Sequence, residues 1–559
     1  VRISGAEIIT QLLERQGVEI VTGIPGGTTL PLYDTLAKSR LVHVLARHEQ
    51  GAGFIAQGMA RATGKAAVCL ATSGPGATNV ITAIADAKLD SIPTVFITGQ
   101  VSKALIGTDA FQEVDTYGLT VPIAKHNYLV RSAAELLEVI PEAFTLAESG
   151  RPGPVVIDVP KDVQQEIIEL EAWPEPGARA PAATPTEDEI QKFAALIAQA
   201  ERPMLYIGGG VIASNASAQV IRLAEQAGIP VTMSLHGLGA FPAGHPLALG
   251  MLGMHGARHT SMLLDEADLL IALGARFDDR ATGKISEFCE HATVVHVDID
   301  RSEIHKLKAA NLGIVADVAA TLDRLLATLP STNTERWRQR VAELKRRHPL
   351  PEGDTKHAWN PAALVREIAA RAEAGAIVTT DVGQHQMWVA QHYPFRRPRT
   401  LLSSGGLGTM GFGLPAAIGA ALAKPDTQII CFTGDGSLLM NIQELATLAE
   451  TGCNVKIILF NNQQLGLVRQ QQELFYGGRF HAAHFASQPD FASIARGFGI
   501  PGIDLGNGAG MDRLAEVLAS PGPALVNVPI SGAANVLPMV PPGAANRNMI
   551  ERTLQVSHA

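Results

Sequence analysis

Short runs of apolar, largely β-branched residues recur along the chain, each separated from the next by a stretch of helical period. In the first third these are Lys65–Leu70, Thr94–Ile97 and Val155–Val159. The middle third has Met204–Ile207, Leu269–Leu273 and Val294–Val297, and the last has Ile377–Thr379, Gln428–Phe432 and Val455–Phe460. Apolar runs between helices, with no polar alternation, mark parallel strands covered on both faces. The pattern therefore predicts an α/β chain of three doubly wound parallel-sheet domains, whose ligands bind beyond the carboxyl ends of the strands. The first and third blocks read as distant repeats of one architecture without shared sequence.

Two breaks separate the blocks. Trp173-Pro174-Glu175-Pro176-Gly177-Ala178-Arg179-Ala180-Pro181 has neither apolar period and reads as an extended connector. The second, from Pro330 to Pro361, holds a charged amphipathic helix, Glu335 to Arg347, and then a turn-rich stretch to Asp354. The expected division is a first domain at 1–170, a linker at 171–186, a second domain at 187–330, a linker at 331–360, a third domain at 361–530 and a tail at 531–559.

Composition agrees with this division. At roughly 100–200 residues per domain, 559 residues make three or four folded units. Apolar residues at 46% and charged residues at 18% are ordinary for a globular protein. Glycine is in excess, 54 residues without a three-residue period, which points to many close backbone approaches. A net charge of −9 disfavours nucleic acid or an anionic membrane as partner. The four cysteines, Cys69, Cys289, Cys431 and Cys453, include no Cys-x-x-Cys pair, so the expectation is a reducing cytoplasm with no disulfide framework or thiolate zinc site. The start of the chain does not read as a signal peptide, and its most apolar glycine-rich stretch, Phe412 to Ala423, is too short to span a bilayer.

Candidate chemistry begins in the third block. The run Gln428–Phe432 leads into Gly434-Asp435-Gly436-Ser437, and a single helix, Leu438 to Glu450, is expected to follow. The run Val455–Phe460 ends in Asn461-Asn462. Asp435 and Asn462 would then offer two oxygen ligands at one edge of adjacent strands, suited to a hard cation that a diphosphate also coordinates. Alone, Gly-Asp-Gly is usually a turn and Asn-Asn a loop start. Their joint spacing, each closing an apolar strand, resembles the signature of thiamine-diphosphate enzymes. Gly406-Leu407-Gly408-Thr409-Met410-Gly411 matches a dinucleotide fingerprint, but that site wants an acidic residue ending a strand about 20 residues later, and Asp426 instead precedes the next strand, so that reading fails. The resemblance instead gives Gly408 a carbonyl to the cofactor's amino group and makes Met410 the apolar wedge beneath it.

Thiamine chemistry needs a carboxyl group that exchanges a proton with the pyrimidine ring. Arg47-His48-Glu49-Gln50-Gly51-Ala52 follows the apolar run Leu41–Leu45. Read alone, Glu49 is an acidic residue favoured at a helix N-terminus. Arg47 to Ala52, together with Ala71-Thr72-Ser73-Gly74-Pro75-Gly76-Ala77-Thr78-Asn79, resembles the pyrimidine-binding domain of the acetohydroxyacid synthase (acetolactate synthase) catalytic large-subunit family. Gly250-Met251-Leu252-Gly253-Met254-His255-Gly256 and Gly274-Ala275-Arg276-Phe277-Asp278-Asp279-Arg280 resemble that family's FAD-binding segments. Without the resemblance, the second of these could be a solvated, salt-bridged loop and Phe111 plain core.

The resemblance implies three domains, pyrimidine-binding, FAD-binding and diphosphate-binding, and a tail that caps the active site. It makes Glu49 the activating acid, sets Gly27 and Gln112 beside the reacting ring, and puts Phe111 and Lys161 along the access channel. Gln384, His385, Gly434, Asp435, Gly436, Ser437, Asn462 and Gly466 join Gly408 and Met410 around thiamine diphosphate, with Mg2+ on Asp435, Asn462 and Gln464. FAD, without a net redox role, falls to Arg151, Gly208, Gly209, His255, Gly274, Arg276, Asp298 and Asp317. The implied reaction decarboxylates pyruvate and ligates the two-carbon unit to a second 2-keto acid, pyruvate or 2-ketobutyrate, as the first common step towards the branched-chain amino acids. Arg280 is the expected clamp on the second acid's carboxylate.

Selectivity falls to Phe111, Met254 and Gln471. Many family members have tryptophan where Gln471 stands, so weak preference for 2-ketobutyrate is expected. A homodimer or dimer of dimers with shared active sites and a small regulatory subunit are also implied. Pyruvate oxidase, a simple decarboxylase and a catalytically dead scaffold are the competing readings, and Glu49, Asp435 and Asn462 together argue against the last.

Overall fold

The computed structural model describes residues 1–353, 359–507 and 510–552. Parts of the expected second linker, 354–358, and of the tail, 553–559, lie outside the described residues.

Each apolar run predicted above forms a strand within a six-stranded sheet, and every strand pairing within these sheets is parallel. In the first sheet the spatial order is Val42–Leu45, Ile20–Gly23, Ala67–Ala71, Thr94–Gln100, Pro154–Pro160 and His126–Leu129. The third sheet runs Leu401–Ser403, Ile377–Thr380, Ile429–Gly434, Val455–Asn461, Ala524–Pro529 and Gly502–Asp504. Numbered within each domain, both follow the order 2-1-3-4-6-5, so the two are the same architecture despite their dissimilar sequences. The middle sheet runs Ala248–Met251, Val231–Met233, Pro203–Ile207, Leu269–Leu273, Thr293–Asp298 and Leu312–Val315. Its order, 3-2-1-4-5-6, is that of dinucleotide-binding sheets.

Strand order decides where ligands go, because a crevice opens where consecutive connections leave to opposite faces. The first sheet opens between Ile20–Gly23 and Ala67–Ala71, the middle one between Pro203–Ile207 and Leu269–Leu273, and the third between Ile377–Thr380 and Ile429–Gly434. The loops at these points carry Gly27 and Thr72–Asn79, Gly208–Gly210 and Gly274–Arg276, and Asp381–His385 and Asp435.

The first and third domains meet through helices Glu49–Thr63 and Gly413–Ala423. Both are almost wholly buried, and they approach so closely that a Cβ on Gly58 would strike the Ala416 carbonyl and one on Gly419 the Ile55 carbonyl. Helix Glu335–Arg347, inside the expected second linker, buries Trp337, Val341 and Leu344 on the middle domain, where Trp337 Nε1 donates to Pro203 O at 2.9 Å. The tail crosses from the third domain to the middle one: Val540 N donates to Met254 O at 2.8 Å and Gln470 Nε2 to Val536 O at 2.9 Å.

The single helix expected from Leu438 to Glu450 is instead two, Asp435–Leu438 and Glu444–Thr451. Two polar side chains account for the break. Asn441 Nδ2 turns to donate to Gly411 O at 2.8 Å, and the carboxylate of Glu444 accepts the Arg47 and His48 amides at 3.0–3.3 Å. Among the described residues no helix is long and apolar enough to cross a membrane.

Candidate functional site

At the third sheet's crevice, Gly434 pairs with Phe460, so Asp435 and Asn462 leave adjacent parallel strands at the same edge. The Asn462 amide is oriented by Gln384, whose Oε1 accepts from Asn462 Nδ2 at 3.2 Å, while Asn462 Oδ1 accepts the Gln464 amide at 3.3 Å. Gln384 is fixed in turn by Gln470 Oε1 at 2.9 Å and Ala534 O at 2.8 Å. Burial pushes the Asp435 carboxyl up to about 6 and the His385 imidazole down to about 3, so His385 is neutral at physiological pH. His385 Nε2 is buried beside Gly383 and Gly434 and has no hydrogen-bond partner among the described residues. Ser437 Oγ is spent on Val382 O at 2.8 Å. Among the described residues no three His, Cys, Asp or Glu side chains cluster as a metal site; the set around Asp435 depends on amide oxygens.

The loop bearing Gly408 and Met410 lies across this crevice. Asp381, at the end of Ile377–Thr380, accepts the Gly411 amide at 2.7 Å and the Gly413 amide at 3.3 Å. Gly408 has φ +71° and nothing within 4 Å of where a Cβ would sit, so its backbone faces open space.

At the first sheet's crevice Glu49 starts a helix, half-buried, and its Oε2 accepts from Asn79 Nδ2 at 2.9 Å. A Cβ on Gly76 would lie 3.5 Å from Glu49 Oε1, and one on Gly74 would lie 2.8 Å from Gln112 Cα. Thr72 Oγ1 bonds Thr28 Oγ1 at 3.0 Å, tying the Gly26-Gly27 loop to the same group. Gly27, Glu49 and Gln112 are thus brought to one sheet edge, with Gln112 in left-handed backbone at φ +60°. Lys161 opens the short helix that follows strand Pro154–Pro160. Phe111 is 88% exposed, which excludes the core packing considered for it. Among the described residues no hydrogen bond joins Gly27, Glu49 or Gln112 to the Gly408 loop, Asp435 or Asn462.

Between the middle domain and the other two lies a cavity of about 830 Å³. Arg151, Gly208, Gly209, His255, Gly274, Arg276, Asp298 and Asp317 all line it, and so do Met254, Arg280, Gln471 and Gly408. Several glycines here answer to protein neighbours: a Cβ on Gly210 would lie 2.6 Å from Gly274 Cα. Arg151 is already paired with Asp300 at 3.1 Å and Glu303 at 2.7 Å. Arg280 is largely exposed, with Nη1 3.6 Å from Met254 Sδ. His255 is held by Pro538 O at 3.1 Å, and burial lowers it to about 4.

Glu444, Asp381 and the buried cluster Arg61, Asp86 and Asp90 escape a reading of the sequence. The one available signal was charge inside otherwise apolar helices, as at Arg61 among Ala60, Ala62 and Met59.

Three family models cover most of the chain. They are described as the N-terminal thiamine pyrophosphate-binding domain, residues 3–119, the central domain, residues 190–325, and the C-terminal thiamine pyrophosphate-binding domain, residues 381–528. The acetolactate synthase isozyme 1 large subunit of Escherichia coli (strain K12) is 57% identical over 551 residues, 98% of each chain. The isozyme 2 large subunit of the same organism is 46% identical over 554 residues, 98% of this chain and all of that one. The acetolactate synthase large subunit of Parasynechococcus marenigrum is 46% identical over 566 residues, 98% of this chain and 91% of that one.

Proposed function

The chain belongs to the acetolactate synthase large-subunit family of thiamine-diphosphate enzymes, and from that premise we propose that it converts pyruvate to 2-acetolactate, and 2-ketobutyrate with pyruvate to 2-aceto-2-hydroxybutyrate. This is the first common step of branched-chain amino-acid biosynthesis. Among reactions of thiamine enzymes, one observation carries this choice: a single cavity is lined by the whole expected flavin set, by Arg280 and by Gly408.

The residues present fit the three cofactors. Thiamine diphosphate would be held by His385, whose buried Nε2 has no partner among the described residues, by the Gly408 backbone, which faces open space, and by Glu49 of the first domain. Mg2+ would be held by oxygens of Asp435, Asn462 and Gln464. FAD fits a dinucleotide-type sheet order with a cavity at its switch point. Bound thiamine diphosphate supplies a carbon nucleophile and the electron sink for decarboxylation.

The chain's own part is positioning and proton transfer. Glu49 exchanges a proton through a carboxyl group that Asn79 orients. Gln112, Gly27 and Lys161 border the reacting centre. Arg280 clamps the second acid's carboxylate through its planar fork, and Met254 and Gln471 bound the space for that acid's alkyl group. The exposed Phe111 and the lack, among the described residues, of any hydrogen bond from the Glu49 group to the Gly408 loop support a homodimer in which each site takes Glu49 from one protomer and Asp435 from its partner. A smaller regulatory chain is proposed as a further partner.

Product analysis tests the reading. With pyruvate, thiamine diphosphate, Mg2+ and FAD, acetolactate is expected; acetyl phosphate or acetaldehyde as the main product would assign the chain to an oxidase or a decarboxylase.

A further inference from the structure

Helix Ile81–Asp90 of the first domain carries two fully buried carboxylates, Asp86 and Asp90. One guanidinium serves both: Arg61 Nη2 is 3.1 Å from Asp86 Oδ2 and 2.8 Å from Asp90 Oδ2, while its Nη1 donates to Ser403 O at 2.9 Å. Both carboxylates also reach into the third domain. Asp90 accepts the amides of Gly405 at 3.1 Å and Gly406 at 2.7 Å. Asp86 accepts from Ser404 Oγ and, at 3.2 Å, from Thr409 Oγ1, and Ser404 Oγ accepts the Thr409 amide at 2.8 Å. The segment 404–409 is therefore clamped at both ends, and its tip, Leu407-Gly408, opens on the cavity.

The middle domain completes the arrangement. His236 Nε2 donates to Asp90 Oδ1 at 2.9 Å, and its ring lies so close to Gly405 that a Cβ there would collide with it. Each oxygen of Asp90 thus takes two donors, and three domains meet on one carboxylate. His236 lines the cavity beside Gly209, where a Cβ would lie 3.3 Å from His236 Cβ. Two carboxylates buried against one guanidinium are a poor route to stability compared with apolar packing. Their use is to be sought in what they hold.

We propose that Asp90 and His236 are positioning residues that couple the middle-domain cavity to the Gly408 loop, so that a flavin seated against His236 fixes the loop in the form that receives the aminopyrimidine of thiamine diphosphate. The proposal rests on reading the cavity as the flavin's place and the loop as the pyrimidine's. Coupling of this kind is reciprocal: each cofactor must tighten the other by the same factor.

Calorimetry on protein freed of cofactors and reloaded with Mg2+ tests it, with the dissociation constant of thiamine diphosphate measured with and without saturating FAD. In the wild type FAD is expected to tighten thiamine diphosphate at least about fivefold. His236→Ala, at a partly exposed position, brings that factor close to one while each cofactor still binds. His236→Gln, whose Nε2 replaces the ring donor, restores it, a rescue that a merely structural role would not require. Asp90→Asn weakens thiamine diphosphate even without FAD. If alanine costs the fold, His236→Leu, bulky but without a donor, makes the same comparison. A wild-type factor of one, or a full factor in the donor-less variant, overturns the coupling and leaves the cofactor assignment standing. Failure of the wild type to bind either cofactor overturns both.

Discussion

Gln488 Nε2 donates a 2.9 Å hydrogen bond to Oδ2 of Asp435. Asp435 is the one carboxylate among the three residues proposed to hold Mg2+, so metal loading sets a cation against an amide donor at the same oxygen. Asp435→Asn is expected to weaken Mg2+-supported binding of thiamine diphosphate at least about 100-fold, since even outer partners of metal ligands are worth 10–100-fold. Gln488→Ala, which removes one outer partner of that carboxylate, should cost only about tenfold. Titration calorimetry with and without Mg2+ distinguishes the two, and equal losses in both variants would contradict the assignment.

Gln471 lines the cavity that also holds Arg280 and Met254. An amide packs poorly on the extra methyl that separates 2-ketobutyrate from pyruvate. Gln471→Trp is expected to raise preference for 2-ketobutyrate about tenfold, at the lower end of what one methylene is worth in an apolar pocket. Competition between the two acceptors reads this directly; a strong wild-type preference that the substitution leaves unchanged contradicts it.

Shared sites make a sharp prediction for mixed dimers. Glu49→Gln and Asp435→Ala are each expected to be inactive. Co-expressed, they form heterodimers in which one of the two sites keeps both residues. Random pairing then returns about one quarter of wild-type activity. No recovery in a demonstrated heterodimer would place Glu49 and Asp435 of one chain in one site.

Asp158 lies buried in strand Pro154–Pro160, where Thr98 Oγ1 donates to it at 2.7 Å and Gln100 Nε2 at 3.0 Å. Burial pushes its carboxyl up to about 7, against the partial opposition of those two donors. The folded chain therefore keeps a proton that the unfolded chain releases near pH 4. Its contribution to stability is fully present below pH 4 and is lost as pH rises to about 7, at about 1 kcal/mol per pH unit. Asp158→Asn should remove that slope, so the melting difference between variant and wild type grows by several degrees from pH 4 to pH 7. A difference independent of pH would contradict this.

Much of the architecture was legible because parallel strands buried on both faces must be continuously apolar. Val455–Phe460 and Leu269–Leu273 announce themselves for that reason. The equivalence of the first and third domains was legible only as an expectation, since it resides in strand order and not in side chains. Asp435 and Asn462 were found because each closes a strand. The break between Leu438 and Glu444 was not, because the side chains of Asn441 and Glu444 turn to partners that only the tertiary fold supplies, Gly411 and the Arg47-His48 amides. The Arg61–Asp86–Asp90 cluster was hidden for the same reason. Its members are separated in sequence from the Ser404–Thr409 segment by more than 300 residues, as in the Ser404–Asp86 bond.

The role of Glu49 is read from the initial rate of acetolactate formation from pyruvate, with saturating thiamine diphosphate, Mg2+ and FAD, in the wild type and in Glu49→Gln. Glutamine keeps the size and the hydrogen bond to Asn79 but cannot exchange a proton. The wild type is expected to form acetolactate and the variant to form it more slowly by about 10²–10⁴, the usual worth of a positioned acid–base group. Equal rates in the two proteins, or no acetolactate from the wild type, would contradict this.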